Sequence, residues 1–141
     1  MHRIVTHSED ETIAEGERFA GRLKPGDVVA LFGDLGSGKT RFTKGISRGL
    51  GVHEQVTSPT FVVVNEHRGG RYPLYHFDFY RMRSVDELQE IGFEEYLYGS
   101  GVCIIEWAEM VERYLPAVRY DVSFELGSTE NERTIMIEER Q

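Results

Sequence analysis

The spacing of apolar and polar residues predicts a strand followed by a helix at the start of the chain. Residues 2–6 have the composition of a short strand, and apolar residues recur at helical spacing from Ile13 to Leu23. Ser8 and Glu11 stand just before this stretch in the pattern of an N-terminal capping box, which predicts where the helix begins.

Two nearly unbroken apolar runs predict the centre of a sheet. Val28–Phe32 and residues 102–105 contain no charged side chain, as is typical of strands that are covered on both faces in α/β proteins. Between these runs, residues 61–64 and 72–80 predict the two strands of a hairpin, joined by a turn at 68–70.

Helical periodicity returns in two further places. Apolar residues from Phe42 to Leu50 lie on one face of a helix that follows the first apolar run. Ser84 and Glu87 repeat the capping-box pattern and predict the start of another helix, and residues 93–97 predict a second short one.

The last part of the chain changes to strict alternation. Apolar residues occupy every second position from Val118 to Leu126, which predicts a half-buried antiparallel strand, and Ile135 and Ile137 share one face of a final strand. No linker, repeat or low-complexity tract divides residues 1–141. We therefore expect a single α/β domain with a mixed central sheet flanked by helices, parallel near its centre and antiparallel towards its edges.

Composition limits the compartment and the partners. The chain has 141 residues, 40% of them hydrophobic and 28% charged, which is ordinary for a soluble globular protein. No apolar run has the length of a membrane span, and the first residues do not have the layout of a signal peptide. The single cysteine, Cys103, is predicted to fill the core. A reducing cytoplasm is the expected location.

The charge balance argues against direct binding to nucleic acid. The formal net charge is −8, and phosphate backbones require a basic surface. Arg41, Lys44 and Arg48 share one side of the predicted helix after the first apolar run. This stripe is either a solvated face or part of a docking surface for a protein partner.

Between Val28–Phe32 and the next helix lies a glycine-rich loop of the form G-x-x-x-x-G-K-T. Its residues are Gly33, Asp34, Leu35, Gly36, Ser37, Gly38, Lys39 and Thr40. The glycines let successive backbone N–H groups point at phosphate oxygens, and the helix N-terminus that follows favours an anion. The lysine can reach the β- and γ-phosphates and the threonine hydroxyl can ligate Mg²⁺. The pattern therefore predicts a P-loop NTPase fold.

Such a loop needs carboxylates that hold Mg²⁺ and orient water, and two candidates stand out. Glu106 follows the second apolar run, at the carboxyl end of a strand, where ligands bind in open α/β sheets. Strand alternation places Asp78 on one face with His76 and Tyr80. Asp78 is predicted either to ligate the metal, directly or through water, or to act as a base on the attacking water.

Motifs missing from the sequence narrow the chemistry further. Asn65 and Asn131 are the only asparagines and each precedes a glutamate, so the guanine-reading N-K-x-D motif is absent and ATP is favoured. The arginine-rich lid of small P-loop kinases is also absent. No Cys/His grouping indicates zinc, and no G-x-S-x-G motif indicates a hydrolase serine.

Four motifs together resemble the TsaE (YjeE) ATPases of bacteria. They are the glycine loop, Ser58-Pro59-Thr60-Phe61, His76-Phe77-Asp78-Phe79-Tyr80-Arg81 and Ile105-Glu106-Trp107. The first motif is generic, whereas its combination with H-x-D-x-Y-R and E-W is specific. Order, spacing and total length agree, so the resemblance covers essentially the whole chain. Ser37 stands where alanine is common, and binding through the backbone tolerates this change.

The resemblance implies an ATPase that supports the synthesis of threonylcarbamoyladenosine in tRNA. Proteins of this family bind ATP and ADP with Mg²⁺ and hydrolyse ATP slowly when alone. They dock on the TsaD–TsaB pair, which transfers the threonylcarbamoyl group, and ATP hydrolysis resets that pair. The acidic charge agrees with this role, because the partner rather than this chain would hold the tRNA.

By matched position, the resemblance also implies a role for each site residue. Lys39 would hold phosphates, Thr40 and Glu106 would hold Mg²⁺, and Asp78 would ligate the metal or orient the water. The expected catalytic residues are Asp78, Glu106 and Lys39. The expected nucleotide-binding residues are Gly33, Asp34, Leu35, Gly36, Ser37, Gly38, Lys39, Thr40, Arg41, Thr60 in a switch-like loop, and Trp107 beside the site.

Two alternative functions are also compatible with a glycine loop of this kind. A small-molecule kinase would need a phosphate acceptor and a lid. A nucleotide-gated adaptor would act through binding, with hydrolysis incidental.

Overall fold

The computed structural model describes residues 1–34, 36–52 and 64–141, which form strands and helices in alternation. The strands are β1 (His2–Thr6), β2 (Val28–Phe32), β3 (Val64–His67), β4 (Leu74–Asp78), β5 (Val102–Glu106), β6 (Arg119–Leu126) and β7 (Arg133–Arg140). The helices are α1 (Glu9–Ala20), α2 (Lys39–Gly49), α3 (Asp86–Glu90) and α4 (Phe93–Leu97). Short 3₁₀ turns at Ala108–Met110 and Glu112–Tyr114 follow β5.

Within the described ranges, the strands form one mixed sheet in the order β1-β7-β6-β2-β5-β4-β3. β2 pairs in parallel with β5 and with β6, and β4 pairs in parallel with β5. The pairs β1–β7, β6–β7 and β3–β4 are antiparallel. The predicted α/β fold is confirmed, and the strand that leads into the glycine loop lies at the centre of the sheet.

Successive residues of the central strands contribute to two separate cores. Val29 and Leu31 belong to a cluster that contains the apolar faces of α1 and α2. Val28 and Ala30 belong to a second cluster, which contains the apolar residues of α3 and α4. Helices therefore cover both faces of β2 and β5, which explains why these strands read as continuous apolar runs.

Cys103 fills the second of these cores, as predicted. Its side chain is fully buried, and its thiol contacts the carbonyl oxygen of Tyr96 at 3.3 Å. Burial raises the pKa of the Cys103 thiol to about 12, because a thiolate would lose its hydration there. The thiol is therefore protonated and unreactive in the folded chain.

The first capping box is confirmed, and the second forms only in part. Ser8 Oγ accepts a hydrogen bond from Glu11 N at 3.1 Å, which caps α1. At α3 the N-cap residue is Val85, which makes no side-chain cap bond. Ser84 Oγ accepts from Asp86 N at 3.2 Å in a tight turn before the helix begins. The other half of the predicted box is present, since Glu87 Oε2 accepts a hydrogen bond from Ser84 N at 3.2 Å.

The strand predicted from strict alternation is confirmed as β6, but the apolar residues at the two ends of the alternating stretch are exposed. Tyr120 and Val122 are buried, whereas Val118 and Leu126 are 67% and 58% exposed. β2 pairs only with residues 120–123 of β6, so the ends of the alternating stretch extend beyond the core. Residues 61–63 of the predicted hairpin lie outside the described ranges, and β3 and β4 form its described part.

None of the helices in the described part of the chain has the length and apolar character needed to cross a bilayer.

Helix α1 presses directly on the backbone of α2. A methyl group added at Gly45 would lie 2.8 Å from the Cα of Gly16 and would overlap the carbonyl oxygen of Ile13. A methyl group added at Gly16 would lie 3.0 Å from the Cα of Gly45. Two glycines facing each other therefore set the distance between the helices, and a backbone contact of this kind cannot be relieved by a rotamer change.

We expect Gly45→Ala to destabilise the fold, although alanine favours an isolated helix. Overpacking at a backbone contact costs about 1–3 kcal/mol, which exceeds the gain of roughly 1 kcal/mol in helix propensity. Urea unfolding followed by circular dichroism measures the difference. Gly69→Ala is the control, since nothing lies within 4 Å of its added methyl group. Equal stability of the two variants would contradict the close helix contact.

Candidate functional site

The glycine loop connects the central strand β2 to the N-terminus of α2. Gly33, Gly36 and Gly38 have φ values of 145°, 79° and 107°, which side chains rarely adopt. A Cβ at Gly33 would also lie 2.8 Å from the carbonyl oxygen of Phe124 on β6. Gly38 is the N-cap of α2 and supplies no side-chain cap, so the first N–H groups of the helix are available to an anion.

The two predicted carboxylates are neighbours at the same edge of the sheet. Asp78 ends β4, Glu106 ends β5, and the parallel register pairs these two residues directly. β2 ends on the other side of β5, where the glycine loop begins. The structure thus brings the carboxyl ends of three adjacent strands together, as in ligand sites of other α/β sheets.

Helix α2 and strand β5 meet through the side chains of Thr40 and Glu106. Thr40 Oγ1 donates a hydrogen bond to Glu106 Oε1 at 3.0 Å. The other carboxylate oxygen, Oε2, is bonded to Nε2 of the fully buried His76. Glu106 itself is 2% exposed. A hydroxyl and a carboxylate are hard oxygen ligands of the type that Mg²⁺ prefers.

Lys39 is the first residue of α2, and its side chain is buried at the end of the loop. Its Nζ donates to the carbonyl oxygen of Gly33 and lies 3.4 Å from the centre of the Trp107 ring. Burial lowers the pKa of the Lys39 ammonium, and the carboxylates of Glu109, Glu106, Asp78 and Asp34 oppose this effect in that order. The Lys39 ammonium thus lies near four carboxylates that favour its charged form, and this charged form can bind a polyanion such as a phosphate chain.

Asp78 has an environment that favours its protonated form. Burial raises the pKa of its carboxyl group, and nearby Glu106 adds to the rise. A hydrogen bond from Tyr80 N to Asp78 Oδ1, at 3.0 Å, opposes the rise, as do His76 and Lys39. A carboxylate whose proton affinity is raised in this way is a better proton acceptor.

A cleft of about 620 Å³ opens above these groups. It is lined by Glu9, Thr12, Gly36, Gly38, Lys39, Thr40, Arg41, Asp78, Tyr80, Arg81, Glu106, Trp107, Asn131 and Arg133. One wall is aromatic, because the rings of Tyr80 and Trp107 lie 4.8 Å apart. The volume is in the range of small-molecule sites, and the lining carries both cations and carboxylates.

The loop is also held from two sides by residues outside the motif. Glu109 Oε2 accepts a hydrogen bond from Gly33 N at 2.9 Å. Arg133, from the start of β7, donates to the carbonyl oxygen of Gly36 at 3.0 Å. Both contacts fix the loop backbone relative to the sheet.

The structure brings most of the predicted site residues together. Gly36, Gly38, Lys39, Thr40, Arg41, Asp78, Glu106 and Trp107 all line the cleft. Gly33, Asp34 and Ser37 belong to the loop but do not line the cleft, and Ser37 is buried behind it. Leu35 and Thr60, with the rest of the predicted switch-like loop at 58–60, lie outside the described residues.

Sequence reasoning missed several residues of the cleft. They are Glu9 and Thr12 from α1, Asn131 from the β6–β7 turn and Arg133 from the start of β7. No local pattern marks them, since only the order of the strands brings the two ends of the chain to the loop. The sequence did contain a signal for Tyr80 and Arg81, which belong to the H-x-D-x-Y-R motif.

The donors present fit a nucleotide with a divalent cation. Among the described residues, no group of three or more His, Cys, Asp and Glu side chains is arranged to hold a metal ion. A cation at Thr40 and Glu106 would therefore need further oxygen ligands, such as phosphate oxygens and water. Mg²⁺ is commonly bound in this way, through one or two side chains together with substrate phosphates.

A family model agrees with this site. The model described as "Threonylcarbamoyl adenosine biosynthesis protein TsaE" matches residues 6–135. The match includes the glycine loop, both carboxylates and the first three residues of β7.

Curated relatives carry the same description. A protein named "tRNA threonylcarbamoyladenosine biosynthesis protein TsaE" from Bacillus subtilis (strain 168) is 46% identical over 130 residues, covering 92% of this chain and 81% of the relative. A protein of the same name from Treponema pallidum (strain Nichols) is 43% identical over 121 residues, covering 86% of this chain and 89% of the relative.

A solved structure agrees in fold. The crystal structure of Bacillus subtilis YdiB superposes with a TM-score of 0.86 at 38% identity, covering 99% of this chain and 86% of the other. Given the family match over most of its length and these relatives, the chain belongs to the TsaE family.

Proposed function

We propose that this chain is a Mg²⁺-dependent ATPase that docks on the TsaD–TsaB pair and resets it through ATP hydrolysis. Membership of the TsaE family assigns the chain to tRNA threonylcarbamoyladenosine biosynthesis. The observation that carries the ATPase proposal is the 3.0 Å contact between Thr40 Oγ1 and Glu106 Oε1. It joins the first turn of the loop helix to the carboxyl end of β5, where a P-loop enzyme needs its metal ligands.

Phosphate binding would involve the loop backbone and Lys39. Gly38, Lys39 and Thr40 at the start of α2 line the cleft, and the N–H groups of a helix N-terminus attract an anion. Lys39 would exchange its bond to Gly33 O for phosphate oxygens, while its ring contact with Trp107 limits where the ammonium can go. The phosphates would supply the negative charge that offsets the cost of burying this cation.

Thr40 and Glu106 would hold Mg²⁺, which when bound neutralises charge on the phosphates and orients the γ-phosphate for in-line attack. In that state the two side chains would turn their oxygens to the cation instead of to each other. Their present contact supports this role, because it brings both ligands within reach of one point.

Asp78 would orient the attacking water rather than serve as a third metal ligand. One of its oxygens already accepts a hydrogen bond from Tyr80 N, and its raised pKa favours accepting a proton. The water oxygen would bond to the γ-phosphorus, the bond to the bridging oxygen would break, and the water proton would pass to Asp78. The products are ADP and inorganic phosphate.

We expect Lys39→Ala to weaken ADP and ATP binding on the order of 10- to 100-fold, because charge-assisted hydrogen bonds to the phosphates are lost. Isothermal titration calorimetry measures the affinity. Lys44→Ala is the control, since Lys44 lies on the same helix and does not line the cleft. Unchanged affinity in Lys39→Ala would rule out the loop assignment.

We expect Asp78→Asn and Glu106→Gln to reduce ATP hydrolysis by roughly 10²-fold or more and nucleotide affinity by much less. Asp78→Asn removes the proton acceptor, and Glu106→Gln removes a charged ligand. Glu138→Gln, an exposed change on β7, should hydrolyse ATP normally. Single-turnover phosphate release and calorimetry separate the two effects, and wild-type hydrolysis by either site variant would remove that residue from the mechanism.

We expect ATP turnover by the purified chain to be slow alone and to rise when a TsaD–TsaB complex is added, because docking would complete the site. Steady-state phosphate release measures both rates, with Lys39→Ala as the inactive reference. Turnover that ignores the complex would leave the nucleotide site standing and contradict the resetting role. Phosphate transfer to a small acceptor would favour a kinase instead.

A further inference from the structure

His76 is a buried polar residue next to the proposed metal ligands, and the role proposed above does not use it. It lies on β4 with no exposed surface, and its Nε2 is hydrogen-bonded to Glu106 Oε2. Its second ring nitrogen, Nδ1, has no hydrogen-bond partner within the described ranges.

Two hydrogen bonds converge on the Glu106 carboxylate, and Glu106 is the acceptor in both. Because a carboxylate oxygen can only accept, His76 donates from Nε2 to Glu106 Oε2. Thr40 donates to the other oxygen, Oε1, at 3.0 Å. Glu106 is therefore held at both oxygens, and the carboxylate plane cannot rotate without breaking a bond.

The surroundings of His76 make a purely structural role costly. Leu74, two residues earlier on the same strand face, and Ile104, its register partner on β5, are both apolar and fully buried, and Asn65 on β3 is the one polar register partner. An apolar side chain at this position would fill the same core without leaving a buried nitrogen unbonded, which costs free energy. The hydrogen bond to Glu106 Oε2 is therefore the reason for an imidazole at this position.

We propose that His76 is a positioning residue that orients Glu106, so that the oxygen facing Thr40 is presented to Mg²⁺. This inference rests on the proposed function, since it assumes that Thr40 and Glu106 hold the cation. His76 does not line the cleft, so it would act on the metal only through the Glu106 carboxylate. Hydrogen bonds of this kind, from a buried donor to a metal ligand, typically change metal affinity 10- to 100-fold.

The test compares two variants. His76→Leu removes the hydrogen-bond donor to Glu106, whereas His76→Gln keeps an N–H donor near the position of Nε2. ADP affinity is measured by calorimetry without metal and then across a Mg²⁺ titration. We expect His76→Leu to need roughly 10- to 100-fold more Mg²⁺ for the same gain in ADP affinity. Its metal-free ADP affinity should stay within about twofold of wild type, because the loop that holds the phosphates is unchanged. His76→Gln should recover most of the Mg²⁺ response.

Folding is checked separately through Cys103, whose buried thiol should remain unreactive in both variants. A wild-type Mg²⁺ response in His76→Leu would overturn the positioning role and leave the proposed function intact. An equal loss of metal-free and Mg²⁺-dependent ADP affinity would overturn it as well, since His76 would then support the whole site. If wild type itself gains nothing from Mg²⁺, the metal site proposed above fails, and this inference fails with it.

Discussion

The parallel pairing of β4, β5 and β2 is the constraint on which the site depends. Parallel strands direct their carboxyl ends to one edge, and the register of β4 with β5 places Asp78 directly beside Glu106. β2 reaches the same edge and releases the chain into the glycine loop. A shift of one residue in either pairing would turn one carboxylate to the opposite face of the sheet. The backbone hydrogen bonds between these strands therefore determine where the two carboxylates and the glycine loop lie relative to one another.

The cleft carries several positive charges, although the protein as a whole is negatively charged. The chain carries a net charge of −8, yet one lysine, three arginines and the N-terminus of α2 lie at the cleft. Lys39 is 4% exposed among carboxylates that hold its charge. In a partly desolvated cleft such charges interact more strongly than on the surface, so a local cationic site can persist in an acidic protein.

Local sequence patterns were sufficient to predict the described strands, the main helices and the position of two carboxylates at the ends of strands. Glu106 was identifiable because a charge directly follows a run that is buried on both faces, and Asp78 because alternation put it beside another polar pair. The contribution of Arg133 was not predictable, since its contact with Gly36 joins residues far apart in sequence and depends on β6 lying next to β2. The burial of His76 was also missed, because alternation gives the face of a residue but not what covers that face.

Trp107 has the one positive φ among non-glycine residues of the described ranges, at 59°. This backbone turn directs the indole ring under the ammonium of Lys39 and against Tyr80. The chain contains a single tryptophan, so its intrinsic emission originates entirely from this one ring. Any event that draws the lysine away from the ring changes the field on the only indole present. The protein thus carries its own optical reporter, placed at the glycine loop without any label.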